Sequence, residues 1–182
     1  VEANFVMRGT VLPVRRASFT TVARDQLLAD VEIPVVSLQD MSGGKLCAAL
    51  DRQHPRDLFD VMQLYGNEGI TPGIRRAFVV YLCCGKRPIH ELLFPQLRDI
   101  RRDYTNNFQG MTAEPVALEV LVAVRERLVR QIQQELDGSE RRFLLSLVRG
   151  EPAWSLLGIA HLEHLPGIRW KPRNLDQLKK TN

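Results

Sequence analysis

The residues of this chain best suited to chemistry lie between positions 45 and 60, where charged side chains recur among small and apolar ones. Lys45 and Arg52 are seven residues apart, so within a helix they share one face. In a second helix, Arg56 and Asp60 are four residues apart and Asp57 lies three before Asp60, which places these three on one side. The spacing therefore predicts that the five side chains converge on one point.

A proline must separate the two helices that position these side chains. Pro55 is compatible with the first turn of a helix but cannot continue a preceding one, and His54 before it is disfavoured in the helical region. Ala48 and Ala49 would let another element approach the first helix closely. The second helix carries apolar residues on its other faces and is predicted to be largely buried: Leu58, Phe59, Val61, Met62 and Leu64. Buried carboxylates there need cationic partners or a metal ion.

Two interpretations of this charge cluster remain open at the level of spacing. In one, the helix pair is a structural clamp, and Arg52 and Arg56 neutralise Asp57 and Asp60. In the other, the cluster is a phosphate site, where Lys45 acts as a point charge on a triphosphate and an aspartate acts as a base or a positioning group. Helical periodicity is the same in both cases and does not separate them.

The segment resembles the lysine/arginine–aspartate motif of the AbiEii/AbiGii nucleotidyltransferase toxins, a bacterial family of type IV toxin–antitoxin systems. The matching positions are Lys45-x-x-Ala48-x-x-x-Arg52-x-x-x-Arg56-Asp57-x-x-Asp60. Residues 1–6, the segment 33–38 and the helical remainder also resemble the later two-thirds of such a protein. The resemblance implies an α+β protein, in which residues 1–40 end a polymerase-β-like nucleotidyltransferase sheet and residues 41–182 form a mainly α-helical domain that carries the motif.

For activity, the resemblance implies transfer of a nucleotide from a nucleoside triphosphate to an RNA acceptor, the 3′ end of tRNA, with Mg²⁺ or Mn²⁺. Lys45 would contact the triphosphate, Asp60 would be the essential acid, and Asp57 would support it. Arg52 and Arg56 would help to bind and orient the nucleotide. Glu2 would be a further acidic residue at the metal, although an exposed glutamate at a strand end is an equally good interpretation. A cognate antitoxin is the expected protein partner.

The chain departs from the family pattern at its first motif, a Gly-Ser pair followed by Asp-x-Asp, whose two acids hold the metal ions. No Asp-x-Asp occurs in this sequence, and Gly138-Ser139 leads into Glu140 and an apolar helical pattern instead. We therefore expect the chain to be the carboxy-terminal portion of such a toxin and to be inactive alone. The alternative from another class is a non-catalytic helical module that binds an antitoxin or nucleic acid.

Composition agrees with one sizeable core, since 45% of the 182 residues are hydrophobic. No apolar run reaches membrane-spanning length, and three cysteines without framework spacing predict buried, reduced thiols and a cytoplasmic location. The net charge of +4 comes with dispersed arginine pairs, which either follow a nucleic-acid backbone or form a solvated surface. Strands are predicted at 1–7 and 31–36, and helices at 20–29, 41–53, 56–66, 72–84, 88–93, 96–108, 114–136, 139–149 and 172–180.

Overall fold

Helices make up most of the described residues, and a two-stranded antiparallel hairpin with a short helix between its strands precedes the helical core. The computed structural model describes residues 9–159 and 161–168. Its elements in chain order are β1 Arg15–Ser18, α1 Thr21–Leu27, β2 Glu32–Val35, α2 Leu38–Arg52, α3 Pro55–Asn67, α4 Pro72–Cys84, α5 Ile89–Leu93, α6 Arg101–Asn107, α7 Leu118–Glu135, α8 Gly138–Arg149 and two short 3₁₀ helices, Trp154–Leu157 and Leu162–His164. The predicted α+β class is confirmed, while the division at residue 40 stays a prediction.

The hairpin is formed by β1 and β2, with Arg15 opposite Val35 and Ser18 opposite Glu32. The predicted strand at 31–36 and the predicted helix at 20–29 are confirmed as β2 and α1. Strand β1 was missed, because four residues that include two arginines show no apolar alternation. The predicted strand at 1–7, with Glu2, and the predicted helix at 172–180 lie outside the described residues.

The core lies among α2, α3, α4 and α7, and α8 packs against α4. Their buried side chains recur at helical spacing, which is why each helix turns one face inward. Examples are Leu46 and Leu50 on α2, Phe78 on α4, and Leu121 and Leu128 on α7, each at most 1% exposed. The three cysteines are also buried, as predicted. Within the described part, no helix is both long and apolar enough to cross a membrane.

Several helix ends differ from the prediction for local reasons. Helix α2 begins at Leu38 rather than at 41, because Ser37 Oγ accepts a hydrogen bond from Asp40 N at 3.0 Å and caps the helix. Gly43 and Gly44 lie inside α2, as the predicted bounds also had them. Helix α6 begins at Arg101 rather than at 96, because the chain before it hydrogen-bonds to the end of α2 instead of to itself.

Gly43 is where α2 and α4 approach most closely, and we expect Gly43→Ala to lower the free energy of unfolding by about 1–3 kcal/mol. A Cβ at this position would lie 2.7 Å from Phe78 N and 2.9 Å from the carbonyl carbon of Ala77, and these backbone atoms can move only if the helices separate. Gly44→Ala is the matched control: nothing lies within 4 Å of its Cβ, so the free energy of unfolding should rise by about 0.5–1 kcal/mol. Urea denaturation measures both, and equal stabilities would contradict the close approach.

Asp40 connects the first described residues to the helical core. Its buried carboxylate accepts hydrogen bonds from Val11 N at 2.7 Å, Leu12 N at 3.0 Å, Ser37 Oγ at 2.7 Å and the Tyr81 hydroxyl at 2.7 Å. Four donors satisfy a buried carboxylate without a cation. The carboxylate therefore fixes both the start of α2 and the position of the chain that leads to the hairpin.

Tyr81→Phe should cost about 1 kcal/mol of unfolding free energy at neutral pH, because the buried Asp40 carboxylate loses one of its donors. Burial, together with the hydrogen bond to Asp40, raises the pKa of Tyr81 above its ordinary value. Because the folded-state pKa exceeds the unfolded value of about 10, this stabilisation is complete below pH 10 and is lost as the pH rises further. Chemical denaturation from pH 8 to 11 should show a smaller alkaline loss in Tyr81→Phe than in the original protein; equal losses would contradict it.

Candidate active site

The junction between α2 and α3 positions the charged side chains that the spacing singled out. Helix α2 ends at Arg52, Gln53 follows in the left-handed conformation with a φ of 52°, and His54 is extended. His54 Nδ1 accepts a hydrogen bond from Arg56 N at 3.2 Å, and Pro55 is the first residue of α3. The predicted break at Pro55 is confirmed, and only two residues separate the helices.

Four of the five predicted side chains form two ion pairs across this junction. Lys45 Nζ lies 2.7 Å from Asp60 Oδ1. Arg52 binds Asp57 through two parallel contacts, Nε to Oδ2 at 3.0 Å and Nη2 to Oδ1 at 2.5 Å. Each pair takes its cation from α2 and its carboxylate from α3. The structure thus brings these four residues together, but as two neighbouring pairs.

Arg56 does not join them. Its Nε donates to the carbonyl oxygen of Asn107 at 3.0 Å, at the end of α6, so the side chain extends away from the junction. The predicted convergence of all five side chains is therefore wrong for Arg56, and the cation that neutralises Asp60 is Lys45. The physical reason is that α6 offers Arg56 an unsatisfied helix-end carbonyl, which helical spacing within α3 cannot reveal.

The two pairs differ in burial. The side chains of Lys45 and Asp60 are 43% and 37% exposed, whereas the Asp57 side chain is only 12% exposed. An ion pair with this much solvent contact stabilises a protein by about 0–1 kcal/mol. Lys45 can therefore leave Asp60 for another anion at little cost, while Asp57 holds the Arg52 guanidinium in a fixed orientation through two hydrogen bonds.

Helix α2, which carries both cations, also lines a groove of about 1070 Å³. One face of α2 forms a wall, and Gly44 contributes no side chain to it. Lys45 is adjacent on α2 to two lining residues, Met41 and Ala48, while Arg52 lines the groove directly. The lining residues are Gly9, Asp40, Met41, Gly44, Cys47, Ala48, Asp51, Arg52, Tyr81, Cys84, Gly85, Lys86, Arg87, Leu92, Pro166 and Gly167. The volume is sufficient for a nucleotide.

Gln53 organises the end of α2 and was missed from the sequence. It is 2% exposed, its Nε2 donates to Gln96 O at 2.8 Å, and its Oε1 accepts from Arg98 N and from Arg125 Nη1, both at 3.1 Å. Arg98 Nη2 in turn donates to the Asp51 and Arg52 carbonyls at 3.1 Å. The one available signal was the place of Gln53 between the last helical residue and His54-Pro55, where a left-handed cap often occurs.

Arg125 is the buried cation behind this network, with 6% of its surface exposed. Its Nη1 also donates to the Arg98 carbonyl at 2.7 Å, while its Nε is buried without a hydrogen-bond partner among the described residues. Burial lowers the pKa of Arg125, and the charges of Glu126 and Asp99 oppose that shift. The hydrogen bonds of this buried guanidinium to the Gln53 side-chain oxygen and to the Arg98 carbonyl therefore replace most of the contacts with water that it loses on burial.

The described residues do not fit a divalent metal ion. Across 9–159 and 161–168, no group of three His, Cys, Asp or Glu side chains is placed to hold one. At the junction, Asp57 and Asp60 are each bound by a cationic side chain rather than facing each other. Glu2, the predicted metal ligand, lies outside the described residues.

Comparison with known proteins identifies a family. The family model described as "Nucleotidyl transferase AbiEii toxin, Type IV TA system" matches residues 1–170. No curated protein and no solved structure matches the chain. The matched region includes the α2–α3 junction and both ion pairs.

Proposed function

Because this chain belongs to the AbiEii family of nucleotidyl transferase toxins from type IV toxin–antitoxin systems, we propose that it helps to transfer a nucleotide from a nucleoside triphosphate to an RNA acceptor, the 3′ end of tRNA. The observation that carries this function is the partly exposed Lys45–Asp60 pair, 2.7 Å apart, on the helix whose residues Met41, Gly44, Ala48 and Arg52 line a nucleotide-sized groove. A cation and an acid in such contact can each take up a separate role once substrate enters.

In this mechanism the triphosphate occupies the groove and Lys45 exchanges Asp60 for phosphate oxygens. Arg52 uses two of its five N–H donors on Asp57, so others remain for phosphate. The released Asp60 carboxylate takes the proton of the acceptor's terminal hydroxyl. That oxygen attacks the α-phosphorus, the bond to the β-phosphate breaks, and Lys45 stabilises the charge of the departing pyrophosphate. Arg56, bound to Asn107, contributes only from outside the junction.

The family's chemistry also calls for Mg²⁺ or Mn²⁺, which the described residues do not fit. We place its ligands outside these residues, with Glu2 as one proposed ligand, and derive no step through the metal. A cognate antitoxin is the proposed protein partner of this type IV toxin, and the cytoplasm, where tRNA is found, is the proposed location.

The test is nucleotide incorporation by the whole protein that contains this chain. It is incubated with each α-³²P-labelled nucleoside triphosphate in turn, bulk tRNA and Mg²⁺ or Mn²⁺, and the RNA is resolved on a denaturing gel. We expect label on tRNA, lost when the metal is chelated. No label with any of the four triphosphates in either metal would overturn the proposed function.

A second candidate is a non-catalytic interaction module that binds an antitoxin or nucleic acid. The observation that favours it is that every carboxylate of the junction already has a cationic partner, as in a structural clamp. The two candidates differ in the role of the Lys45–Asp60 pair. In a structural clamp the pair stabilises the fold, whereas in an active site it increases the rate of nucleotide transfer.

A further inference from the structure

Phe94 is the one aromatic side chain that is fully on the surface among residues 9–159 and 161–168, with 69% exposure. Its backbone is nevertheless held firmly. Phe94 N donates to His90 O at 2.8 Å, the preceding carbonyl of Leu93 accepts from Gln133 Nε2 at 2.9 Å, and Gln96 O accepts from Gln53 Nε2 at 2.8 Å. The ring is thus presented to solvent on a rigid backbone.

Two arginines, two glutamines and one glutamate lie around this ring, and Glu91 is 3.9 Å from Arg87. Phe94 lines a second groove of about 550 Å³ together with Gln53, Arg87, Glu91, Pro95, Gln96 and Arg98. We name it the Phe94 groove. Arg98 donates through Nη2 to the end of α2, which leaves further N–H groups of the same guanidinium for a phosphate. Behind the groove, the buried Arg125 adds a positive charge that Gln53 and Arg98 contact.

The Phe94 groove adjoins the proposed nucleotide groove. Arg87 lines both, and its guanidinium lies 3.2 Å from the Asp51 carboxylate and donates to the Asp51 carbonyl at 3.2 Å, one residue before Arg52. A strand that lies in the Phe94 groove would therefore reach the triphosphate by passing the end of α2. An acceptor needs such a route, because its terminal hydroxyl must meet the α-phosphorus.

We propose that the Phe94 groove binds the single-stranded end of the nucleic-acid acceptor, with one base stacked on Phe94 and the flanking phosphates on Arg87 and Arg98. The Gln96 amide is placed to contact a base edge. Stacking on an exposed aromatic ring beside cationic side chains is how proteins hold unpaired nucleotides. The role as an acceptor site rests on the proposed function, whereas binding of single strands does not.

The experiment measures binding without any nucleoside triphosphate. Short fluorescein-labelled single strands, one RNA and one DNA of the same sequence, and the corresponding duplex are titrated with the whole protein, and fluorescence anisotropy gives Kd. Phe94→Ala should raise Kd for the single strands about five- to a hundredfold, and Phe94→Trp should preserve it. Leu145→Ala, which truncates a 56% exposed side chain on α8, is the matched control and should leave Kd unchanged.

The duplex should be nearly insensitive to Phe94, because its bases are already stacked. Thermal unfolding checks that Phe94→Ala and Leu145→Ala keep the same Tm. Equal Kd values for Phe94→Ala and the original protein, or equal losses for single strand and duplex, would overturn the Phe94 groove. RNA preferred over DNA points to contact with the 2′-hydroxyl. If Kd depends on Phe94 but no triphosphate labels tRNA, binding at the Phe94 groove is supported and the proposed transferase function is refuted. If tRNA is labelled but Kd does not depend on Phe94, only the proposal for the Phe94 groove is refuted.

Discussion

Lys45→Ala and Asp60→Ala should each slow nucleotide transfer at least about a hundredfold, while the free energy of unfolding changes by less than about 1 kcal/mol. The reason is the partial exposure of the pair, 43% and 37%, together with its 2.7 Å contact next to the groove-lining residues of α2. Such a pair stabilises the fold weakly, but each member is positioned to act on substrate. The clamp interpretation expects the opposite, namely a loss of stability that accounts for any loss of activity.

A charge swap separates the two cases. The double variant Lys45→Asp with Asp60→Lys restores an ion pair, so a structural clamp would regain its function. An active site would remain inactive, because position 45 would carry a carboxylate and position 60 an ammonium group. Arg16→Ala is the control for loss of an exposed ion pair, since Arg16 and Glu32 pair at 3.2 Å with more than half of each side chain exposed. Label transfer to tRNA and guanidinium denaturation measure rate and stability in parallel. Recovery of transfer in the swapped variant would refute catalytic roles.

Gln53→Ala should lower the free energy of unfolding by about 3 kcal/mol, the largest effect on stability that we expect from one side chain. The substitution removes three hydrogen bonds and leaves the buried Arg125 guanidinium with the Arg98 carbonyl as its remaining partner. It also leaves Gln96 O without that donor. Breaking a buried network at one member costs more than a surface change, because the partners stay desolvated.

Gln53→Gly separates the side chain from the backbone. It removes the same three hydrogen bonds, but glycine adopts the φ of 52° more readily than alanine, so this variant should be about 1 kcal/mol more stable than Gln53→Ala. Guanidinium denaturation with both variants gives the two contributions. A Gln53→Ala protein within 1 kcal/mol of the original would show that the network does not stabilise the junction.

Local spacing was sufficient to predict the two helices, the break at Pro55 and four of the five charged residues that meet across it. It also carried the resemblance to the AbiEii family, which the family match bears out. Spacing did not predict which partner each charged side chain would take. Lys45 and Asp60 lie on helices whose crossing decides the pairing, and Arg56 was lost to a carbonyl 51 residues away in the sequence.

The two polar networks at the ends of α2 could not be predicted for the same reason. Asp40 and Gln53 look like ordinary surface residues in the sequence, yet they take partners 28–41 and 43–72 residues away respectively, apart from the local bonds of Asp40 to Ser37. A buried polar residue is recognisable only when the elements that bury it are placed. Capping by Ser37 is different: its partner lies three residues on, and a Ser before an acidic first turn is a known start signal, so the sequence held the cap that the predicted start at 41 missed.

These two end networks also determine how α2 moves. Terminal turns of helices ordinarily open and close, and their amide hydrogens exchange with water during those openings. In α2, Ser37 Oγ caps one terminus and is itself held by the Asp40 carboxylate, and the Arg98 guanidinium donates to the Asp51 and Arg52 carbonyls at the other terminus. We therefore expect the amides of the terminal turns of α2 to exchange more slowly than those of an uncapped helix. Such a helix would hold Lys45 and Arg52 at a constant separation.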